Sequence, residues 1–542
     1  MKSESTKSPP KSPRELEATE SIANGHIIGS GDAGMKKTFS FLGILALGFN
    51  ISNSWVAIAS SLALSIAAGG TVTILYGILV VGFAMICTGF SLAELASVYP
   101  TAGGQYHLTS ILAPERFSKG LSYTCGMLGV FSWISIGSSI ALIVAQTIMA
   151  LVIQYHPDLT IKSWHYFLLY VAVHVIAVLY NLFLAQRTEW IYKLTFYLTL
   201  GLFLVTSIAC PSLTNARANS SFVWTTFYNN SELWPDGICF LTGLSGPSFM
   251  LIGLDATMHL AEECSAPAKT IPKAIISTVL VGVLTAFAFA VAMCYSTDDF
   301  ESLLTTPTGC VRSLFFFGFK SKTKASGKSL TNWLANRFPI YALWHQATGS
   351  LPGATVLMVT LLCVMMSALN AVHQTASRLT WSFARDDAIV LAKYLKLVHP
   401  RLHMPVYALL LNFVFCVIAG ALYPASTSAF NAFIGTSAIL SQLSITIPIG
   451  LIIYRQRSSA YLPASRGFRI PNMAGYFCNI VAVGWTTLVT VIFCFPTVAP
   501  ITGNNMNYCS VVVAVVFVLG AVNWGCYART RYQGPRLESL SL

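Results

Sequence analysis

Apolar runs of membrane-crossing length recur along this chain and limit what it can become. Twelve are found, at about 41–67, 72–96, 120–150, 165–185, 190–210, 238–264, 272–296, 353–383, 405–423, 428–454, 474–495 and 509–528. About 20 apolar residues cross a bilayer as one helix. Backbone groups in lipid must be satisfied within the segment, so the runs predict an all-α integral membrane protein with twelve transmembrane helices. Only 10% of the 542 residues are charged, against roughly 25% in soluble domains. The expected organisation is a polar, disordered cytoplasmic tail over 1–38, a twelve-helix membrane domain over 39–528 and a second cytoplasmic tail over 529–542.

The net charge of +12 follows topology. With the N-terminus in the cytoplasm, most Lys and Arg fall in cytoplasmic loops, as positive residues do in membrane proteins. No nucleic-acid partner is implied; the lipid bilayer is the surrounding partner, and a multi-pass plasma-membrane protein with both termini inside is expected. Sequons at Asn219 and Asn229 then fall in an external loop and are candidate glycosylation sites. The 13 cysteines lie mostly in apolar spans without a C-x-x-C pair, so they read as buried thiols. Neither a metal set nor a cofactor is expected.

Chemistry concentrates in span 6. Pro247 removes a backbone donor, Gly253 weakens the helix near mid-membrane, and Asp255 follows two residues later. An acid at that depth is costly and marks an ion or substrate path. A broken helix beside it is how secondary transporters build binding sites. Asp255, His259 and Glu262 follow i, i+4, i+7 spacing and would share one face of an α-helix, a file able to pass protons or gate an exit. For Glu262 and Glu263 the preferred reading is plainer: capping the cytoplasmic end near Lys269 and Lys273.

Span 1 carries Gly48, Asn50, Ser52, Asn53 and Ser54 in one cluster of poor helix formers. An interrupted helix here would offer free N–H groups to an anion; the alternative is a continuous helix with small packing residues. Spans 1 and 6 would be equivalent if the first ten form two five-helix repeats. Glu94, near the cytoplasmic end of span 2, reads as structural or gating. The stretch after it, Thr101 to about Leu112, reads as an interfacial helix with Tyr106 and His107 at headgroup level. His174, alone on an apolar face, reads as a packing residue. Arg378, Arg385 and Asp386, at the end of span 8, read as a locking network for an inner gate.

Three spaced motifs carry a resemblance. Gly253-Leu-Asp255 followed by Glu262-Glu263, Pro267 and Pro272 resembles the sixth-span signature of the amino acid–polyamine–organocation superfamily. The run 91–106, Ser-Leu-Ala-Glu-Leu-Ala-Ser-Val-Tyr-Pro-Thr-Ala-Gly-Gly-Gln-Tyr, is similar to its second-span pattern. Thr375-Ala-Ser-Arg378 with Phe383-Ala-Arg-Asp386 is similar to its span-8 pattern. Over roughly 36–528 the chain most resembles fungal amino-acid/choline transporters, which include GABA and choline permeases. The resemblance implies a 5+5 inverted repeat with discontinuous helices 1 and 6, and uptake usually driven by protons. It also places Phe249 as an aromatic gate over the substrate. Many members carry a Gly-x-Gly triplet in span 1 that cradles a carboxylate, where this chain has Asn50-Ile-Ser-Asn-Ser54. A zwitterion, a choline-like cation or another small amine therefore stays open as cargo, with a proton or Na+ as coupling ion. Asp255 would face the amine or carry the proton.

Residues 310–337 hold six basic residues and no acid, and stand where the resembling proteins join directly. They read as an anomalous external insertion, possible as a translated intron. Two rival functions stand beside uptake: export of an alkaloid-like amine on the same scaffold, and a membrane-embedded acyl- or glycosyltransferase. The transferase would need clustered catalytic His and Asp, whereas His174, His259 and His373 lie on separate spans.

Overall fold

The computed structural model describes residues 40–535 apart from 298–338 and short segments at 157, 160, 186–187, 215–216, 230–233, 265, 497–500 and 502–505. The tail 1–38, Arg187 and the insertion 310–337 therefore lie outside the described residues. Among the described residues twelve helices are long and apolar enough to cross a membrane: Phe41–Leu62, Gly70–Val98, Glu115–Tyr155, Ser163–Phe183, Glu189–Leu213, Asp236–Glu263, Pro267–Tyr295, Leu351–Arg385, Val406–Pro424, Asn431–Tyr454, Asn472–Ile492 and Cys509–Arg531. They match the twelve expected runs and are called spans 1–12. Span 1 is 78% buried in its most apolar window and span 12 only 17%. Span 1 is thus held inside protein, and span 12 presents most of its apolar surface outward.

Span 1 consists of α1 (Phe41–Ser52) and α2 (Ser54–Ala67), separated by Asn53 at φ +26°. Ser40 caps α1 by accepting from the Gly43 amide at 3.2 Å. The break is one residue wide, because the Asn53 amide still bonds Phe49 O at 2.7 Å and Ala57 N bonds Asn53 O. The expected disruption across 48–54 thus narrows to a kink at Asn53, and Gly48, Asn50 and Ser52 remain helical. Gly48 serves packing: a Cβ there would lie 2.7 Å from Thr257 Cγ2 on span 6.

Span 6 changes winding three times. It is α-helical through Asp236–Gly243 and Ser245–Ser248, becomes 3₁₀ at Phe249–Leu251, extends at Ile252 and turns left-handed at Gly253 with φ +80°. It then continues as a 3₁₀ helix over Leu254–Glu263. Runs of 3₁₀ beyond three or four residues are uncommon and mark hinges. Gly253 is required twice over: L-residues disfavour that φ, and a Cβ would stand 2.9 Å from Ile51 Cγ2 and 3.2 Å from the Trp133 ring. The two breaks therefore face one another, Ile51 of α1 lying against Gly253.

The segment joining spans 2 and 3 holds α3 (Gln105–Leu112), whose Gln105, Tyr106, His107, Leu108, Thr109 and Leu112 are buried. This corrects the interfacial reading. The helix is too polar for lipid because its polar groups bond inside the protein. At the opposite end, Gly69 N donates to Tyr228 O at 3.0 Å and ties the loop after span 5 to the end of α2.

Candidate functional site

Asp255 sits just past the span-6 break with 4% of its surface exposed. Its Oδ2 accepts from Gln105 Nε2 at 2.6 Å and Trp133 Nε1 at 3.3 Å, and meets His259 Nε2 at 3.1 Å. Oδ1 is buried without a hydrogen-bond partner in the protein. Gln105, inside the 91–106 motif, and Trp133, outside every motif, come from α3 and span 3; nothing in the sequence pairs either with Asp255. The carboxylate is therefore held by one oxygen, and the other is buried without a partner.

His259 Nδ1 lies 2.9 Å from Ala102 O. A carbonyl has no proton to give, so Nδ1 is the donor there. Nε2 can then meet Oδ2 only if one more proton sits on the imidazole or on the carboxyl. The geometry has a place for one further proton between Asp255 and His259.

Buried polar atoms without protein partners gather around the breaks. Asn50 Oδ1, Ser52 Oγ, Asn53 Nδ2, Ser54 Oγ, Asp255 Oδ1, Thr257 Oγ1 and Thr278 Oγ1 all lie on spans 1, 6 and 7. The spans meet closely: a Cβ on Gly48 would be 3.4 Å from Thr278 Oγ1, and one on Gly282 would be 2.3 Å from Ser54 Oγ. Their other polar atoms are used: Asn50 Nδ2 donates to Tyr192 O, and Asn53 Oδ1 accepts from Thr199 Oγ1. Each unpaired buried polar group costs about 1–3 kcal/mol, so such a concentration points to a guest that pairs with them. Phe249 is half-buried one turn before Gly253.

The file Asp255–His259–Glu262 does not form. A 3₁₀ helix turns in three residues, not 3.6, which rotates Glu262 away from the Asp255 face, and Glu262 bonds Arg385 at 3.1 and 3.2 Å. Glu263 accepts from Arg378 Nε at 2.7 Å, both side chains being 5% exposed or less. The capping role beside Lys269 and Lys273 is thereby overturned: both glutamates reach across to span 8. Asp386 Oδ2 accepts from Tyr106 Oη at 2.8 Å and lies 3.2 Å from His107 Nε2. Burial, and then the Asp386 carboxylate, hold the Tyr106 phenol well above its ordinary pKa, so it remains a donor. Behind it, Ser122 Oγ donates to Tyr106 O and shares a 2.6 Å bond with the buried Tyr532 hydroxyl.

Glu94 is enclosed by Arg457 at 2.6 Å, Arg466 at 2.8 Å and the Ile470 amide at 3.1 Å. It ties span 2 to the segment between spans 10 and 11. His174, expected to pack alone, shares a 2.9 Å bond with His373. Asn219 caps a short helix by accepting from Ser221 N, whereas Asn229 Nδ2 donates to Trp234 O and Asp236 Oδ1.

Sequence comparison agrees with this architecture. The amino acid permease family model matches residues 39–517. This chain belongs to the amino acid permease family. Among relatives, the permease is 30% identical to a choline transporter of Saccharomyces cerevisiae, covering 96% of this chain and 87% of that protein. It is 27% identical to a swainsonine transporter of Arthroderma benhamiae, covering 92% of each. It is 24% identical to a 7-keto 8-aminopelargonic acid transporter of Saccharomyces cerevisiae, covering 89% of this chain and 91% of that protein. The family is one of transporters, and this permease is a multi-pass membrane protein.

Proposed function

We propose that this permease moves a small amine across the plasma membrane by alternating access, coupled to protons. The observation that carries the proposal is the set of unpaired buried polar atoms around two facing helix breaks, beside an acid with one open oxygen. Asn53 and Ser54 at one break, with Thr257 and Thr278, offer hydroxyl and amide contacts. Asp255 Oδ1 offers the counter-charge to an ammonium group, and Phe249 closes the site from the side opposite the basic loops. Asn50 and Ser52 line α1 behind the kink, while Gly48 and Gly253 let the spans approach.

The basic face, carrying Glu94, Glu262, Arg378, Arg385 and Asp386, is assigned to the cytoplasm, with both termini. Its ion pairs close the inner side in this conformation, and rocking of spans 1 and 6 against spans 3 and 8 breaks them. The 5+5 repeat supplies that motion, since each half contributes one broken helix. A proton fits the Asp255–His259 pair, where it would complete the contacts of both ring nitrogens. An alkaloid-type amine, moved in either direction, is the second reading, favoured by the likeness to a swainsonine transporter.

The test is uptake of choline, GABA, and basic and neutral amino acids into proteoliposomes at two pH values. One amine should accumulate, more so with an inward proton gradient, and Asp255→Asn should abolish accumulation without lowering reconstitution. Accumulation by Asp255→Asn at the wild-type rate would rule out this role for the acid.

A further inference from the structure

The segment between spans 2 and 3 touches both the central acid and the gate acid, from adjacent residues. Ala102 O holds His259 Nδ1 at 2.9 Å, and Gln105 Nε2 holds Asp255 Oδ2 at 2.6 Å. The next two residues turn the other way: Tyr106 Oη bonds Asp386 Oδ2 at 2.8 Å and Ser382 Oγ at 2.9 Å, and His107 Nε2 stands 3.2 Å from Asp386. Two glycines allow this. A Cβ on Gly104, at φ +54°, would lie 3.0 Å from His259 Cε1, and one on Gly103 would lie 2.5 Å from His107 Cδ2. The backbone thus passes between two imidazoles with no room for side chains of its own.

We propose that Ala102–His107 is the link that couples the protonation of the Asp255–His259 pair to the inner gate at Asp386, with Gln105 and Tyr106 as its positioning residues. The inference rests on the proton-coupled reading above. With its proton, the pair bonds Ala102 and Gln105 and holds α3 where Tyr106 meets Asp386. When the pair loses its proton, the Nε2 lone pair faces a carboxylate at 3.1 Å and that contact becomes repulsive. His259 must then withdraw from Asp255 or from Ala102. Either movement frees the start of α3, Tyr106 retracts from Asp386, and the gate loosens.

Of the elements packed against the pair, span 2 brings Glu94, paired with Arg457 and Arg466, and span 7 brings Lys269 and Lys273 near its start. Span 3 presents the Cys125 thiol, and α3 presents His107 beyond the glycines. Span 8 presents Arg378, already paired with Glu263; on span 6 itself Glu262 is paired with Arg385. Span 1 brings no ionisable residue in α1. None of these is bonded to the shared proton.

The test places nitroxide labels on p-acetylphenylalanine at the exposed positions Lys273 and Lys393, leaving native cysteines untouched. Pulsed electron resonance in lipid nanodiscs, without substrate, then gives the ratio of open to closed inner gate at pH 5.5 and 8. A one-proton linkage changes this ratio by up to about tenfold per pH unit. The wild-type ratio should rise with pH, and Asp255→Asn should flatten it. Gln105→Leu and Tyr106→Phe should each cut the wild-type change to below about a third, and the double variant should lose no more than either alone, as in one connected path. Should Gln105→Leu unfold, Gln105→Asn keeps the amide but falls one methylene short, and should behave like it.

A wild-type response that Asp255→Asn abolishes, while Gln105 and Tyr106 variants respond normally, overturns the link and leaves the proton reading intact. Independent, additive losses overturn it too. No response in the wild type overturns both.

Discussion

The Arg378–Glu263 pair allows the gate to be probed by one substitution. Glu263→Gln keeps shape and removes the charge, leaving the Arg378 guanidinium buried at 3% side-chain exposure. Breaking a buried pair by neutralising one partner costs about 3–5 kcal/mol. On the gating proposed above, that cost falls on the closed state, where the guanidinium is dry, and is relieved when spans 6 and 8 separate and water reaches it. At about 1.4 kcal/mol per factor of ten, even 3 kcal/mol raises the open fraction roughly 100-fold. The neighbouring Cys264, 2% exposed, reports this directly. Its labelling rate by N-ethylmaleimide, followed by mass spectrometry of its peptide in nanodiscs, is the open fraction multiplied by the intrinsic rate. Glu263→Gln should label about two orders of magnitude faster than wild type, until the open state dominates. The double variant Glu263→Gln/Arg378→Met should fall back, because no stranded charge remains. Labelling of Glu263→Gln at the wild-type rate would show that the pair is not broken when the gate opens.

Three further outcomes follow from the geometry. Gly253→Ala meets a left-handed backbone penalty of roughly 1–2 kcal/mol, and its methyl collides with Ile51 and Trp133. It should lower the thermal midpoint and abolish uptake, whereas Gly201→Ala, with nothing within 4 Å, should do neither. Glu94→Gln strands the buried Arg457 and half of the Arg466 contact; it should destabilise the fold by about 3–5 kcal/mol, read as lost yield of monodisperse protein, and normal yield would contradict the burial argument. The Asn229 amide already gives hydrogens to Trp234 and Asp236, so a glycan should reside on Asn219: Asn219→Gln should remove the endoglycosidase-sensitive shift on a gel and Asn229→Gln should not.

Much of the fold was legible because each span states its own length and hydropathy. The breaks were legible for local reasons: Gly253 permits a positive φ, and Asn53 belongs to the few residues that tolerate one. The acid at 255 announced itself by its depth. What surrounds it did not. Gln105 and Trp133 reach Asp255 from 150 and 122 residues away; the motif around Gln105 does not name its partner, and a lone tryptophan carries no sign of such a contact. Glu262 and Glu263 misled because sequence offers only near neighbours, here Lys269 and Lys273, while the true partners lie on span 8. The 3₁₀ winding of 254–263 is equally silent in composition, and it undid the i, i+7 arithmetic. Residues 105–112 mimicked an interfacial helix because polar groups satisfied inside protein and polar groups facing headgroups look alike in a string of letters.

The most direct measurement is a cryo-electron microscopy structure of the permease in lipid with the amine identified by the uptake panel. Density for that amine between the Asn53 kink and the Ile252–Gly253 turn, with its nitrogen within hydrogen-bonding or ion-pairing distance of Asp255 Oδ1, is the expected result. Amine density elsewhere, with Asp255 Oδ1 and the Ser54 and Thr257 hydroxyls still unpaired, would contradict it.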